Sequence, residues 1–65
     1  MNQLTYKQQQ ITSLVAQGLT NKEIAQRLGY SPSTVRNHMQ EIMRKLELKN
    51  RIQVALIGNE SAQHL

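Results

Sequence analysis

Apolar residues recur every three or four positions along most of this chain, and turn-forming residues cut the pattern into four pieces. In the first piece Ile11, Leu14 and Val15 make one stripe, which predicts a helix over residues 6–17. Thr5 is its expected N-cap, Gln8 three residues later completes a capping box, and Gly18 supplies a left-handed exit. The second helix is expected over residues 21–28, capped by Thr20 with Glu23 and closed by Gly29. Ile24, Ala25 and Leu28 form its buried side, and Leu19 pairs with Ile24 as a hydrophobic staple. The third is expected over residues 32–46. Ser31 caps it, and Pro32 takes the first helical position, where a missing N–H costs nothing. Val35, Met39, Ile42 and Leu46 fall on one face, while Ser33, Arg36, Asn37, Gln40 and Arg44 cluster roughly opposite. The fourth is expected over residues 51–57, capped by Asn50 and stopped by Gly58. Ile52, Ala55 and Leu56 suit its core face, and Val54 and Ile57 point elsewhere. Residues 59–65 show no pattern and are expected to fray. The expectation is an all-α, four-helix single domain over residues 1–65, with its core in 4–57 and a tail in 58–65.

Composition narrows what such a domain can do. The chain has 65 residues and no cysteine. Neither disulfides nor a thiolate metal site can stabilise it, so it relies on helix packing or on a partner. It has no room for a catalytic domain with a buried pocket, and no enzyme activity or cofactor is expected. The longest apolar run, residues 54–57, is too short for a membrane span or a signal-peptide core. No cysteine fits a cytosolic protein. The formal charge is +4. That balance favours polyanions, nucleic acid before an acidic membrane, although many small soluble domains are mildly basic. Tyr6 and Tyr30 are the only aromatic residues, which argues against binding single strands or RNA on stacked aromatics.

Only Gly29, Tyr30 and Ser31 separate the second and third helices. Two capped helices joined by so short a glycine-opened turn have the organisation of a helix-turn-helix. A major groove about 12 Å wide admits one helix, so base-reading residues must share an outward stripe near its N-terminus. Arg36, Asn37 and Gln40 do so, and their side chains suit base edges: Arg for guanine, Asn or Gln for adenine. Phosphate contacts need donors at helix N-termini and flexible cations around the groove. Thr20, Asn21 and Lys22, then Ser33 and Thr34, then Arg44, Lys45 and Lys49 meet that description. Seven of the eight cations lie between Lys22 and Arg51, alongside three of the four acids. The bland alternative is an ordinary solvated polar face, with Thr20 and Ser31 acting mainly as caps.

The segment Gly18-Leu-Thr-Asn-Lys-Glu-Ile-Ala25 is followed by Leu28, Ser31, Thr34-Val-Arg-Asn-His38, Ile42 and Lys45-Leu46. Together with Leu4-Thr5, Arg51 and Ala55, it resembles the LuxR-type helix-turn-helix family over about residues 4 to 57. The resemblance implies a four-helix DNA-binding domain of a bacterial transcription factor. It also implies that the third helix enters the major groove and that the fourth often forms a homodimer contact. Carried onto this chain, base reading falls on Arg36, Asn37 and Gln40. Phosphate binding falls on Thr20, Asn21, Lys22, Ser33, Thr34 and Lys45. The chain departs from the pattern where acids are usual, at Gln8 and Gln10, and where an aliphatic residue is usual, at Thr12. Any ion pair from the first helix is therefore replaced or missing. Gln40 stands where a basic residue is common, so the operator does not transfer from relatives.

Val54 and Ile57 are either scattered surface apolar residues or the face of a two-fold contact. As a contact they would set two reading helices about 34 Å apart on a palindrome. His38 is expected to pack under the turn rather than to switch or bind metal, and no metal site is expected. Met39 suits the core, and Met43 sits at its edge. Glu23 is explained by its capping box, and Glu41 and Glu47 read as solvated acids. The expected partners are double-stranded DNA, a second copy of the chain on that DNA, and RNA polymerase, with no membrane and no small-molecule substrate. The expected location is cytoplasmic, at the nucleoid. Two other readings are a helical module contacting RNA polymerase or another regulator, and a sigma-factor-like promoter-reading domain.

Overall fold

The caps expected from the sequence are formed. In the computed structural model, which describes residues 4–63 and the side chains up to Asn59, four helices follow one another: α1 Tyr6–Ala16, α2 Asn21–Leu28, α3 Pro32–Lys45 and α4 Arg51–Gln63. Among the described residues there is no strand. Thr5 Oγ1 accepts from the Gln8 backbone N–H at 3.1 Å, and Gln8 Oε1 returns the bond to Thr5 N at 3.1 Å. Thr20 and Glu23 repeat this reciprocal pair at 3.2 and 2.8 Å. Ser31 Oγ takes the Thr34 N–H at 3.2 Å, with Pro32 in the first turn. Asn50 Oδ1 takes the Gln53 N–H at 3.1 Å.

Three exits use the left-handed backbone region. Gly18 and Gly29 adopt φ of 91° and 76°, which glycine tolerates without a steric penalty. After α3 the same task falls to Glu47, at φ 56°. Its N–H donates to Arg44 O at 3.3 Å, and the Leu48 N–H donates to Met43 O at 2.8 Å. These two bonds are a Schellman closure built on a residue with a side chain. Glu47, expected as a plain solvated acid, therefore has a structural place.

One core joins the helices: Ile11, Leu14 and Val15 from α1, Ile24 and Ala25 from α2, Val35, Met39 and Ile42 from α3, and Val54 from α4. Leu19, Leu28, Tyr30, Met43, Leu46, Leu48 and Ala55 pack around it. Each fully buried aliphatic side chain contributes about 1.5–3 kcal/mol of transfer free energy. α1 packs most extensively against α4, and α2 packs against α3.

α4 corrects the sequence reading twice. Gly58 does not stop it: the helix continues to Gln63. A Cβ at Gly58 would lie 2.4 Å from the Thr12 backbone oxygen. Gly58 is thus the point where α4 crosses α1 at a separation no side chain allows. The tail expected to fray over residues 59–65 is instead helical as far as Gln63, and His64 and Leu65 lie outside the described residues. The second correction concerns the faces. Val54 is fully buried, whereas Ile52 and Leu56 are 73% and 61% exposed. Val54 and Gly58 are four residues apart, on one stripe, and that stripe meets α1. Val54 therefore cannot present its side chain to a second copy. Ile57 is half-buried.

α1 buries two polar residues beside its expected stripe, Gln8 and Thr12. Thr12 Oγ1 donates to Gln8 O at 2.8 Å, which satisfies the hydroxyl at a position where the resembled family usually carries an aliphatic residue. Among the described residues, no buried side-chain polar atom lacks a partner.

Candidate nucleic-acid interface

α3 separates its two faces cleanly. Val35, Met39 and Ile42 are buried, while Ser33, Arg36, Asn37 and Gln40 are exposed. Arg36, Asn37 and Gln40 span one turn of the helix, so three side chains able to read base edges project from one surface strip.

Beside this strip lies an open groove lined by Thr20, Asn21, Lys22, Pro32, Ser33, Arg36 and Arg51. It collects the first turn of α2, the first turns of α3 and the first residue of α4. Two helix N-termini face it, each carrying a partial positive charge and free backbone N–H groups. Lys22, Arg36 and Arg51 add three full charges. A polyanion is the ligand such a surface attracts.

The remaining expected phosphate ligands are placed less uniformly. Thr20 and Ser31 are occupied as caps. Thr34 is half-buried, with Oγ1 3.0 Å from Ser31 Oγ, so it reinforces that cap. Arg44 and Lys49 are exposed on the C-terminal side of α3, away from the groove. Glu41 lies 3.8 Å from the Arg44 guanidinium, an exposed pair of small energetic weight.

Lys45 is the clear correction in this set. Its ammonium is 3.0 Å from Gln8 Oε1 and 4.0 Å from Glu41 Oε1, and its side chain is only 21% exposed. Gln8 Nε2 also donates to Glu41 Oε1. The amide of Gln8 thereby bridges an acid and a base of α3, replacing the ion pair that an acidic residue would have made. Lys45 belongs to this network, which fastens α1 to α3, and Glu41 is not merely a solvated acid.

Two further features sit behind the turn. His38 is half-buried, its ring 6.2 Å from that of Tyr30, and Lys7 Nζ lies 5.6 Å from the Tyr30 centroid. His38 packs under the turn as expected. Among the described residues, no three His, Cys, Asp or Glu side chains are grouped to hold a metal.

The family model for bacterial regulatory proteins of the luxR family matches residues 2–57. The chain belongs to this family. It is 45% identical over 56 residues to the nitrate/nitrite response regulator protein NarL of Escherichia coli K12, covering 86% of this chain and 26% of NarL. It is 48% identical over 59 residues to the transcriptional regulatory protein DesR of Bacillus subtilis 168, covering 91% of this chain and 30% of DesR. The putative regulator YhjB of Escherichia coli K12 is 39% identical over 62 residues, covering 95% of this chain and 31% of YhjB. The chain thus spans between a quarter and a third of the length of these relatives. As a LuxR-type helix-turn-helix domain, it is a DNA-binding module of the kind found in transcription regulators. No described helix is long and apolar enough to cross a membrane.

Sequence reasoning missed one residue of this LuxR-type surface. Arg51 was recognised only as matching the family pattern, yet it lines the groove with Lys22 and Arg36. Its NH1 donates to Asn21 Oδ1 at 2.5 Å and its NH2 to Leu19 O at 2.7 Å. Those partners lie 30 and 32 residues earlier, beyond the reach of any local pattern.

Proposed function

We propose that this domain reads double-stranded DNA sequence-specifically as the DNA-binding part of a bacterial transcription regulator, acting at the nucleoid in the cytoplasm. α3 lies in the major groove, where Arg36, Asn37 and Gln40 contact bases. Thr20, Asn21, Lys22, Ser33 and Thr34 hold phosphate oxygens on one flank, and Arg44 and Lys49 serve the other. Binding neutralises phosphates, releases counterions and fixes the register, after which the α3 strip selects bases. Two copies meet through α4 on a palindromic site, and RNA polymerase is the further partner that regulation of transcription implies. The observation that carries this reading is the exposure of all three base-reading candidates on one strip, beside a groove holding Lys22, Arg36 and Arg51.

For the α4 contact, Ile52 and Leu56 are the outward residues. They are exposed and one turn apart, and Ile57 borders them. So small a patch pairs weakly in free solution and gains from the DNA that holds both copies.

The test is selection of bound duplexes from a random pool, followed by affinity for the selected site at several salt concentrations. A palindromic consensus with half-sites about one helical turn apart and a steep salt slope is expected. Arg36→Ala is expected to weaken binding to that site by about 1–3 kcal/mol and to relax its specificity. An equal loss on every sequence would make Arg36 a phosphate ligand. Absence of duplex binding at low salt would overturn the proposal in favour of a protein-interaction module.

A further inference from the structure

We infer that Arg51 is a positioning residue for a phosphate contact made by Asn21, acting by fixing which end of the Asn21 amide faces the DNA. This rests on the DNA-binding reading above. A guanidinium has five donors and no acceptor, so only the oxygen end of an amide can face it. Asn21 Oδ1 accepts from Arg51 NH1 at 2.5 Å. Among the described residues, no acceptor takes Asn21 Nδ2. The two unused N–H groups are therefore the end left for a ligand at the mouth of the groove. A phosphate oxygen only accepts, so an amide presented this way bonds it and an amide turned the other way repels it.

The clasp is built to hold that orientation. Arg51 NH2 donates to Leu19 O at 2.7 Å, so one guanidinium grips the residues on both sides of the Thr20 cap. Planar, forked donors can meet two acceptors together, and a lysine ammonium cannot reproduce that geometry. Arg51 is itself anchored as the first residue of α4, just after Asn50, whose side chain caps the helix. Its half-buried position and the two charge-assisted bonds set the first turn of α2 against α4. That turn also carries Lys22. The phosphate-binding edge of the reading pair is thus held from behind by the helix that bears Ile52 and Leu56.

The experiment compares wild type, Arg51→Lys, Asn21→Ala, the double variant Arg51→Lys/Asn21→Ala, and Asn21→Asp. Each is measured for affinity to a duplex carrying the selected site, for salt slope and for thermal unfolding. Arg51→Lys keeps the charge and loses the fork. It is expected to weaken binding about tenfold with the salt slope unchanged. Asn21→Ala should lose about as much, and the double variant no more than either alone. Asn21→Asp makes an ion pair with Arg51, so its melting temperature should hold or rise. Its affinity should nevertheless fall at least about tenfold, because a carboxylate oxygen now faces phosphate. Wild-type affinity in Arg51→Lys, full addition of the two single losses, or unchanged binding by Asn21→Asp would each overturn the inference. If neither the Arg51 variant nor the double variant folds, Asn21→Asp decides alone. A wild-type chain that binds no duplex overturns the DNA-binding reading and this inference with it; wild-type binding with unaffected variants overturns the inference only.

Discussion

The α2–α3 pair and the α1–α4 pair solve the same packing problem in different ways. α2 and α3 are amphipathic, capped at both ends, and meet through side chains such as Ile24, Ala25 and Val35. Their opposite faces stay polar and carry the candidate DNA contacts. α1 and α4 have no such division. α1 buries Gln8 and Thr12, and α4 exposes Ile52 and Leu56 while crossing α1 at a glycine. The reading pair is specified by local chemistry, residue by residue. The supporting pair is specified by contacts that exist only once the chain has folded.

Substitutions on α4 test that contrast most severely. Val54→Asp places an unpaired charge in a fully buried position and is expected to destabilise the fold by more than about 3 kcal/mol, enough to unfold a domain of this size. Ile52→Asp, two residues away on an exposed position, should change stability by no more than about 0.5 kcal/mol and should reduce only pairing on DNA. Urea unfolding of both variants is the measurement. Comparable losses would mean that α4 does not distinguish the two faces. Gly58 comes next. Alanine there gains about 1 kcal/mol of helix propensity, but its Cβ meets the backbone oxygen of Thr12, which no rotamer change can relieve. The clash should win, and Gly58→Leu should lower stability by about 2–3 kcal/mol in the same assay. A variant as stable as wild type would remove the close crossing.

These two positions also show where the sequence was readable. The boundaries of α2 matched residue for residue, because Thr20, Glu23 and Gly29 act through hydrogen bonds and dihedrals within a few residues. α1 and α3 each end one residue earlier than their stripes suggested. Ala55 packs against the core as expected, but Ile52, Leu56 and Val54 were assigned to the wrong faces of α4, because Val54, Ala55, Leu56 and Ile57 are all apolar. An uninterrupted run has no period from which to choose a face. Gly58 carried two opposite signals, a helix stop and a close contact, and only α1 decides between them. Within the binding surface, the exposed strip of α3 followed from its period. Lys45 did not, since its charge looked like that of any other cation until Gln8, 37 residues earlier, came within 3.0 Å of it.

The difference between a cation on the groove and a cation in the scaffold gives the next expectation. Lys22→Ala should flatten the salt dependence of DNA binding by about one unit in log–log slope with little effect on stability. Lys45→Ala should leave the slope unchanged and cost about 0.5–1.5 kcal/mol of stability, through the loss of its hydrogen bond to buried Gln8, whose Oε1 keeps the Thr5 N–H. Salt titrations and melts of the two variants suffice, and a flattened slope for Lys45→Ala would return it to the phosphate ligands. The smallest effect belongs to Glu47. Glycine accepts its φ of 56° without strain, so Glu47→Gly should raise stability by about 0.5–1 kcal/mol in thermal melts. No gain there would show that the Glu47 side chain compensates its own backbone.

Helix interfaces usually yield a little because side chains at the seam can change rotamer or lean aside. At Gly58 there is no side chain to lean, and the facing atom is a carbonyl already fixed in the ladder of α1. α1 and α4 are therefore locked together like two rods touching metal to metal. The seams that α2 and α3 make with the rest keep side chains that can adjust: Ile24, Val35 and Ile42 in the core, and the hydrogen-bonded Gln8, Lys45 and Arg51 at its rim. The close crossing fixes the α1–α4 seam, so α4, which bears the exposed Ile52 and Leu56, is held at a set distance from α1.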